Sequence, residues 1–324
     1  MNDFRLPLGE LAETVIDLVT DVLGGFFAVV RTIFAGLYDA VDLLLSAPPF
    51  VAVIAVFAAL AFLLRGWKLA VGTILGLLVI VGVGQWENAM DTLALVLVAS
   101  AIAIAIAVPI GILAARSDSA SKIIRPILDF MQTMPAFVYL IPALILFRVG
   151  VVPGIVATIV FAMAPGVRLT ELGIRGVDKE VVEAGHAFGS SPWRILRQIQ
   201  LPLAMPSIMA GVNQVIMLSL SMVVIAGMVG AGGLGGEVVQ SLTRIDVGLG
   251  FEAGLSVVIL AIILDRLTGA LGGLRGRGAK RAKRSSGTDA PGTAPKPTAP
   301  VPAANAPAAP VPAAGEARPV ASAP

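Results

Sequence analysis

Apolar residues run through this chain in long blocks, and the polar positions between them fall in short groups. At about 20 apolar residues per membrane crossing, the blocks predict spans over 50–64, 69–84, 91–115, 126–147, 151–168, 203–229 and 249–268. From Gln198 to Gly236 there is no Asp, Glu, Lys or Arg, whereas a soluble helix of that length needs a charged face. The opening is different. Glu10, Glu13, Asp17 and Asp21 recur at three- and four-residue spacing, with Leu11, Val15, Leu18, Val22 and Leu23 between them. That period predicts an amphipathic helix with an acidic stripe. After Gly24-Gly25 a second segment sets Arg31, Asp39 and Asp42 against Phe27, Ile33, Phe34, Leu37 and Val41. Residues 1–47 are therefore expected to form one or two helices lying at the membrane surface. The alternative is an additional span over 22–45. A basic start and an uninterrupted apolar run are both missing, so the segment does not read as a secretory signal.

Composition sharpens this to an all-α polytopic membrane protein. Hydrophobic residues make up 57% and charged residues 14%, against roughly 25% charged in a soluble domain. There is no cysteine and a single histidine, His186, so disulfides, thiolate metal sites and multi-histidine centres are excluded, and no metal or cofactor is expected. The basic residues fix an orientation. Arg65 and Lys68 separate the first two spans, and Arg116, Lys122 and Arg125 separate the third and fourth. Arg168, Arg175, Lys179, Arg194 and Arg197 crowd the stretch after the fifth, and Arg275 to Arg284 follow the seventh. All fall on the cytoplasmic side if the N-terminus lies outside and the C-terminus inside.

These readings divide the chain into N-terminal helices (1–47), two peripheral spans (48–84), a core (85–272) and a basic juxtamembrane segment (273–284). The last is either a stop-transfer signal or a contact for anionic lipid. Residues 285–324, rich in Pro and Ala, cannot bury a core and are expected to be disordered. Stacking aromatics do not accompany the basic run, so nucleic acid is not an expected partner.

One polar stretch interrupts the core, at 171–202. Asp178 to Ala187 predicts a short helix with Glu180 and Glu183 on one side. Gly189 is suited to end it in a left-handed turn. Ser190 or Ser191 is suited to cap the next helix, with Pro192 in its first turn. Small side chains at 184, 185, 187 and 189 would let another protein come close, and Leu201-Pro202 restarts the chain as it re-enters the membrane. The spacing of Glu183, Ala184, Gly185, Gly189, Ile199, Leu201 and Pro202 resembles the EAA loop of ABC importer permeases, which fits a cleft on the ATP-hydrolysing subunit. Gly185 replaces that pattern's second alanine.

The resemblance extends through MQTMPAFVYLIPALILF (131–147), VPGIVATIVFAMAPGVRLTELGI (152–174), QLPLAMPSIMAGVNQVIMLSLSMVVIAGMVGAGGLG (200–235) and ILDRLT (263–268). These strings are similar to the permease subunits of glycine betaine/proline betaine importers. The resemblance implies a type I importer: two permease copies, two ATPase subunits, an extracytoplasmic substrate-binding protein, and a pathway between the permeases. This chain has no G-x-x-x-x-G-K-[ST] phosphate loop, so it is read as a conduit and not as an enzyme. Polar groups inside spans should face the bundle interior, which singles out Gln132, Thr133, Asn213, Gln214, Ser219 and Ser221. Pro135 and Pro142 are candidate helix-shaping points. The polar groups either line a pathway or hydrogen-bond between helices, and the glycine run 227–236 is either a gate or a tight connection. Aromatics are 6% of the chain and form no evident cage for a quaternary ammonium. Glycine betaine is thus what the resemblance implies, with proline betaine, choline, carnitine or an amino acid open. An ion-driven carrier, which would need ionisable residues at mid-span, is the remote alternative.

Overall fold

The computed structural model describes residues 8–285, and this range is helical throughout apart from short connections. The helices are α1 (Leu8–Ser46), α2 (Phe50–Arg65), α3 (Trp67–Gly82), α4 (Trp86–Arg116), α5 (Asp118–Thr133), α6 (Ala136–Phe147), α7 (Val151–Arg175), α8 (Lys179–Ala187), α9 (Pro192–Ile195), α10 (Leu201–Ser221), α11 (Val223–Gly227), α12 (Gly233–Arg244) and α13 (Val247–Ser285). The expected tail, 286–324, lies outside the described residues.

The core is built on α4, α7 and α10. Small residues let these helices approach closely, the usual basis of helix packing where lipid removes the hydrophobic drive. A methyl group at Gly111 of α4 would sit 2.6 Å from Thr170 Cβ of α7, and one at Gly173 of α7 would sit 2.7 Å from Ser207 Cβ of α10. Around them Ala99, Ala103, Ile155, Ala162 and Val215 are fully or almost fully buried. By length and apolarity, Ile16–Ser46, Trp86–Arg116, Val151–Arg175, Pro192–Gly227 and Val247–Ala270 are each able to cross a membrane.

One expectation is narrowed and two need correction. Residues 8–46 form one helix, uninterrupted at Gly24-Gly25. Glycine permits a break without forcing one, at a cost in a helix of about 1 kcal/mol each. The second half of α1 seats Phe27 against Phe147, and Phe34, Tyr38 and Val41 against the core. Asp42 and Ser46 border a depression with Trp86, Glu87 and Asp91. This half of the helix thus runs over the end of the bundle where α4 and α7 begin and α6 ends.

The predicted span 126–147 is not straight: α5 and α6 meet at 98°. Pro135 pushes Met134 into extended backbone (φ −73°, ψ 137°), as a residue before proline prefers. Span 203–229 runs through α10 into the short α11, within the apolar helical stretch Pro192–Gly227. Finally, Leu201-Pro202 does not restart the chain. Helical backbone is continuous from Pro192 to Ser221 through a π-turn at Leu196–Gln200, which absorbs the amide that Pro202 cannot supply. The peripheral α2 and α3 are 16 residues each, about 24 Å long, shorter than the roughly 30 Å hydrocarbon layer.

The glycine run after α11 is a compact hairpin. A methyl group at Gly235 would fall 2.1 Å from the Val223 carbonyl oxygen, and one at Gly227 would fall 2.3 Å from Gly235 C. Backbone therefore lies directly on backbone between α11 and α12. Thr92 Oγ1 of α4 accepts a hydrogen bond from Leu234 N at 2.9 Å, and Gly150 N donates to Val229 O at 3.0 Å.

Candidate functional site

The polar stretch after α7 folds into a helix–turn–helix whose every joint is locally determined. The Asp178 side chain caps α8 by accepting from Glu180 N at 3.0 Å. At the other end Gly189 has φ +71°, the left-handed conformation in which glycine alone carries no Cβ penalty. Ser190 N donates to Gly185 O at 3.1 Å and Gly189 N to His186 O at 2.9 Å, the paired bonds of a Schellman ending. Ser191 caps α9, accepting from Arg194 N at 3.4 Å, and Pro192 sits in its first turn.

Packing explains the remaining spaced residues. Gly185 is buried, and a methyl group there would come within 3.0 Å of Ile199 Cδ1 and 3.2 Å of Ile195 Cγ1. Its lack of a side chain lets α8 rest on the helix that follows. Leu196 is buried beside Ile174, Val177, Ala204 and Ile208, with Val182 and Leu201 packed around them. Glu183, Ala184 and Pro202, by contrast, are exposed.

The outward face carries apolar groups that the sequence reading did not single out. Phe188 is 89% exposed and Trp193 57%. Arg116, at the end of α4, lies over the Trp193 ring at 5.9 Å, so α9 is tied to the core by a cation–π contact. Val181 and Leu172 are also exposed. The signal was present in the sequence as two large aromatics beside glycine, serine and proline, where a turn has no interior to bury them. The α8–α9 segment thus carries exposed apolar side chains together with the exposed charges Lys179, Glu180, Glu183, Arg194 and Arg197, on a capped and packed base.

The candidate pathway residues separate into two groups. Asn213 donates to Asp265 Oδ1 of α13 at 3.1 Å and accepts from Thr268 Oγ1. Ser219 is buried and donates to Val215 O at 2.8 Å. Ser219 is held inside the bundle, and Asn213 is half-buried and tied to α13. Gln214 and Ser221 are exposed and border, with Ala210, Asn213, Met217 and Leu218, a depression of ≈ 310 Å³. Gln132 and Thr133 are exposed at the α5–α6 bend, and Thr133 donates to Phe130 O at 3.0 Å. Pro135 starts α6 and Pro142 lies inside it. The ionisable residues along α5 face those on the last turns of α7, a charged face that the spacing in sequence does not connect. Arg125 pairs with Glu171 at 2.8 Å, Arg175 with Asp118 at 2.7 Å, and Arg168 with Asp129.

Residues 107–273 match the model of the binding-protein-dependent transport system inner membrane component. The chain belongs to that family and is an inner membrane transport subunit. It is 47% identical to the glycine betaine transport system permease protein OpuAB of Bacillus subtilis, across 82% of this chain and 94% of that one. It is 50% identical to the glycine betaine/proline betaine transport system permease protein ProW of Escherichia coli, across 83% and 79%. With the glycine betaine/carnitine transport permease protein GbuB of Listeria monocytogenes the identity is 49%, across 81% and 94%. Among solved structures, the inward-facing MetNI methionine ABC transporter aligns with a TM-score of 0.48 at 21% identity, over 60% of this chain and 92% of that chain.

Proposed function

We propose that the chain is the translocation subunit of an ATP-driven importer of glycine betaine and proline betaine. In this reading two copies form the pathway between them, an extracytoplasmic protein delivers substrate, and two ATPase subunits bind the cytoplasmic side. The observation that carries it is the α8–α9 surface. An apolar patch of Val181, Phe188 and Trp193 stands exposed on a capped, glycine-seated base, in a family whose members work with partner proteins. An exposed patch of this kind marks an interaction site, and its rigid joints suit a part that transmits force. Substrate class follows from relatives at about half identity over most of the chain.

Gln214, Ser221, Gln132 and Thr133 are the proposed pathway-facing groups, because an exposed polar group on a membrane helix is costly against lipid. Asn213 and Ser219 support the helices that carry them. With the basic loops inside, the start of α4 lies outside, and α1 lies across that outer end. A cysteine replacing Glu10 should therefore react with an impermeant reagent added from outside. Labelling only after the membrane is opened would overturn this orientation.

The functional test is uptake of labelled glycine betaine into proteoliposomes holding this chain, its ATPase and its binding protein. Uptake should require ATP and all three components, and unlabelled proline betaine should compete. ATP-dependent uptake of choline or carnitine with no uptake of either betaine would move the substrate; absence of any ATP-dependent uptake would remove the importer reading.

A further inference from the structure

The charged face between α5 and α7 centres on a carboxylate that membrane insertion alone does not explain. The Glu171 side chain is 3% exposed. Ser121 Oγ donates to it at 2.7 Å and Arg125 Nη2 at 2.8 Å, and Arg175 Nε lies 3.1 Å away. Arg175 reaches on to Asp118 and, at 2.8 Å, to the Ala114 carbonyl at the end of α4. The carboxylate is thus fully partnered, as a buried charge must be.

The two helices are held in place by different means. α7 is fixed to α4 and α10 by shape, with no room for a methyl group at Gly111 or Gly173. On α5 the fully buried residues are Ser121 and Leu128; Leu128, with Ile124 and Met131 beside it, packs on Ala164 and Val167 of α7, and the charged face is the second tie between the two helices. Arg125 is 59% exposed while Glu171 is buried. If α5 swings away, the exposed Arg125 can pass to water while Glu171 keeps Arg175, its neighbour on the same helix. A pair that can close, as here, and open is the kind of element that conveys motion between sites. Its position matters as well. Glu171 stands on the last turns of α7, and only Gly176, Val177 and Asp178 separate α7 from α8, with Val177 buried. α5 in turn leads through the 98° bend into α6.

We propose that Glu171 and Arg125 form a clasp that passes displacement of the α8–α9 surface to α5, and through the bend to α6. Glu171 is then a positioning residue for transport, touching neither substrate nor nucleotide. The clasp rests on the reading of α8–α9 as the ATPase docking surface.

The test compares Glu171→Gln, Arg125→Met and the double variant in the reconstituted importer, reading ATP hydrolysis and betaine uptake separately. Each single variant should keep ATPase co-purification and at least half of the hydrolysis, yet lose uptake by about tenfold or more. The double variant should be no worse than either single one, since the pair acts as a unit. Arg125→Met removes an exposed side chain, so it keeps the test open should Glu171→Gln fold poorly. Parallel loss of hydrolysis, uptake and folded protein in both would make the pair merely structural, and unchanged uptake in Arg125→Met would remove the clasp. Failure of the docking reading is seen separately, as ATPase that co-purifies equally with the parent chain and with Phe188→Glu.

Discussion

At the α8–α9 turn, Gly189 takes φ +71° and the residues around it point outward, leaving Phe188 almost fully exposed. At the α11–α12 turn, Gly227 and Gly235 bring two backbones into direct contact, and Leu234 beside them is fully buried. Both turns contain glycine and both follow a short helix. In the first, glycine shapes a surface and the surroundings are open; in the second it removes volume and the surroundings are packed. The lesson is that a glycine's role is set by its neighbours. A side chain added at the first turn should be felt by a partner, and one added at the second by the fold.

The largest effect should come at the packed turn. Gly235→Ala places a methyl group on the Val223 carbonyl and should destabilise by roughly 3 kcal/mol, the upper end for overpacking. A melting curve in detergent checks this, and a melt unchanged from the parent chain would show that the hairpin opens readily. The open turn should respond in function instead. Glu183→Lys combined with Gly189→Trp should cut uptake by at least about tenfold while insertion and yield stay normal. Normal uptake by a well-expressed double variant would remove α8–α9 from coupling.

How far each turn was legible follows from the same contrast. Gly189, the Ser191 cap and Pro192 act through local geometry, so their spacing announced the helix, the turn and the next helix. The packing of Gly185 on Ile195 and Ile199 was not legible, because it needs the π-turn that carries α9 into α10. Nor could the Gly227–Gly235 contact be read, since it depends on how α12 folds back onto α11. The 98° bend had its cause in view at Pro135, but an apolar run reads as one span whether it is straight or folded. Glu171, Arg125 and Arg175 were visible as single charges, and only the packing of α5 on α7 joins them.

A smaller effect separates the hairpin's polar anchor from its packing. Thr92→Val removes the hydroxyl that accepts from Leu234 N and should cost about 1 kcal/mol with uptake retained. A loss as large as that of Gly235→Ala would make the hydrogen bond the dominant tie. The smallest change is expected far from both turns. Deleting 286–324 should leave reconstituted uptake unaltered, and a large loss would reveal a partner for that tail.

The most direct measurement puts a photocrosslinking amino acid in place of Phe188 on one turn and of Met228, also exposed, on the other. In the assembled importer, position 188 should capture the ATPase subunit and position 228 should not. Capture of the ATPase at 228, or none at 188, would contradict the account of α8–α9 as the docking surface.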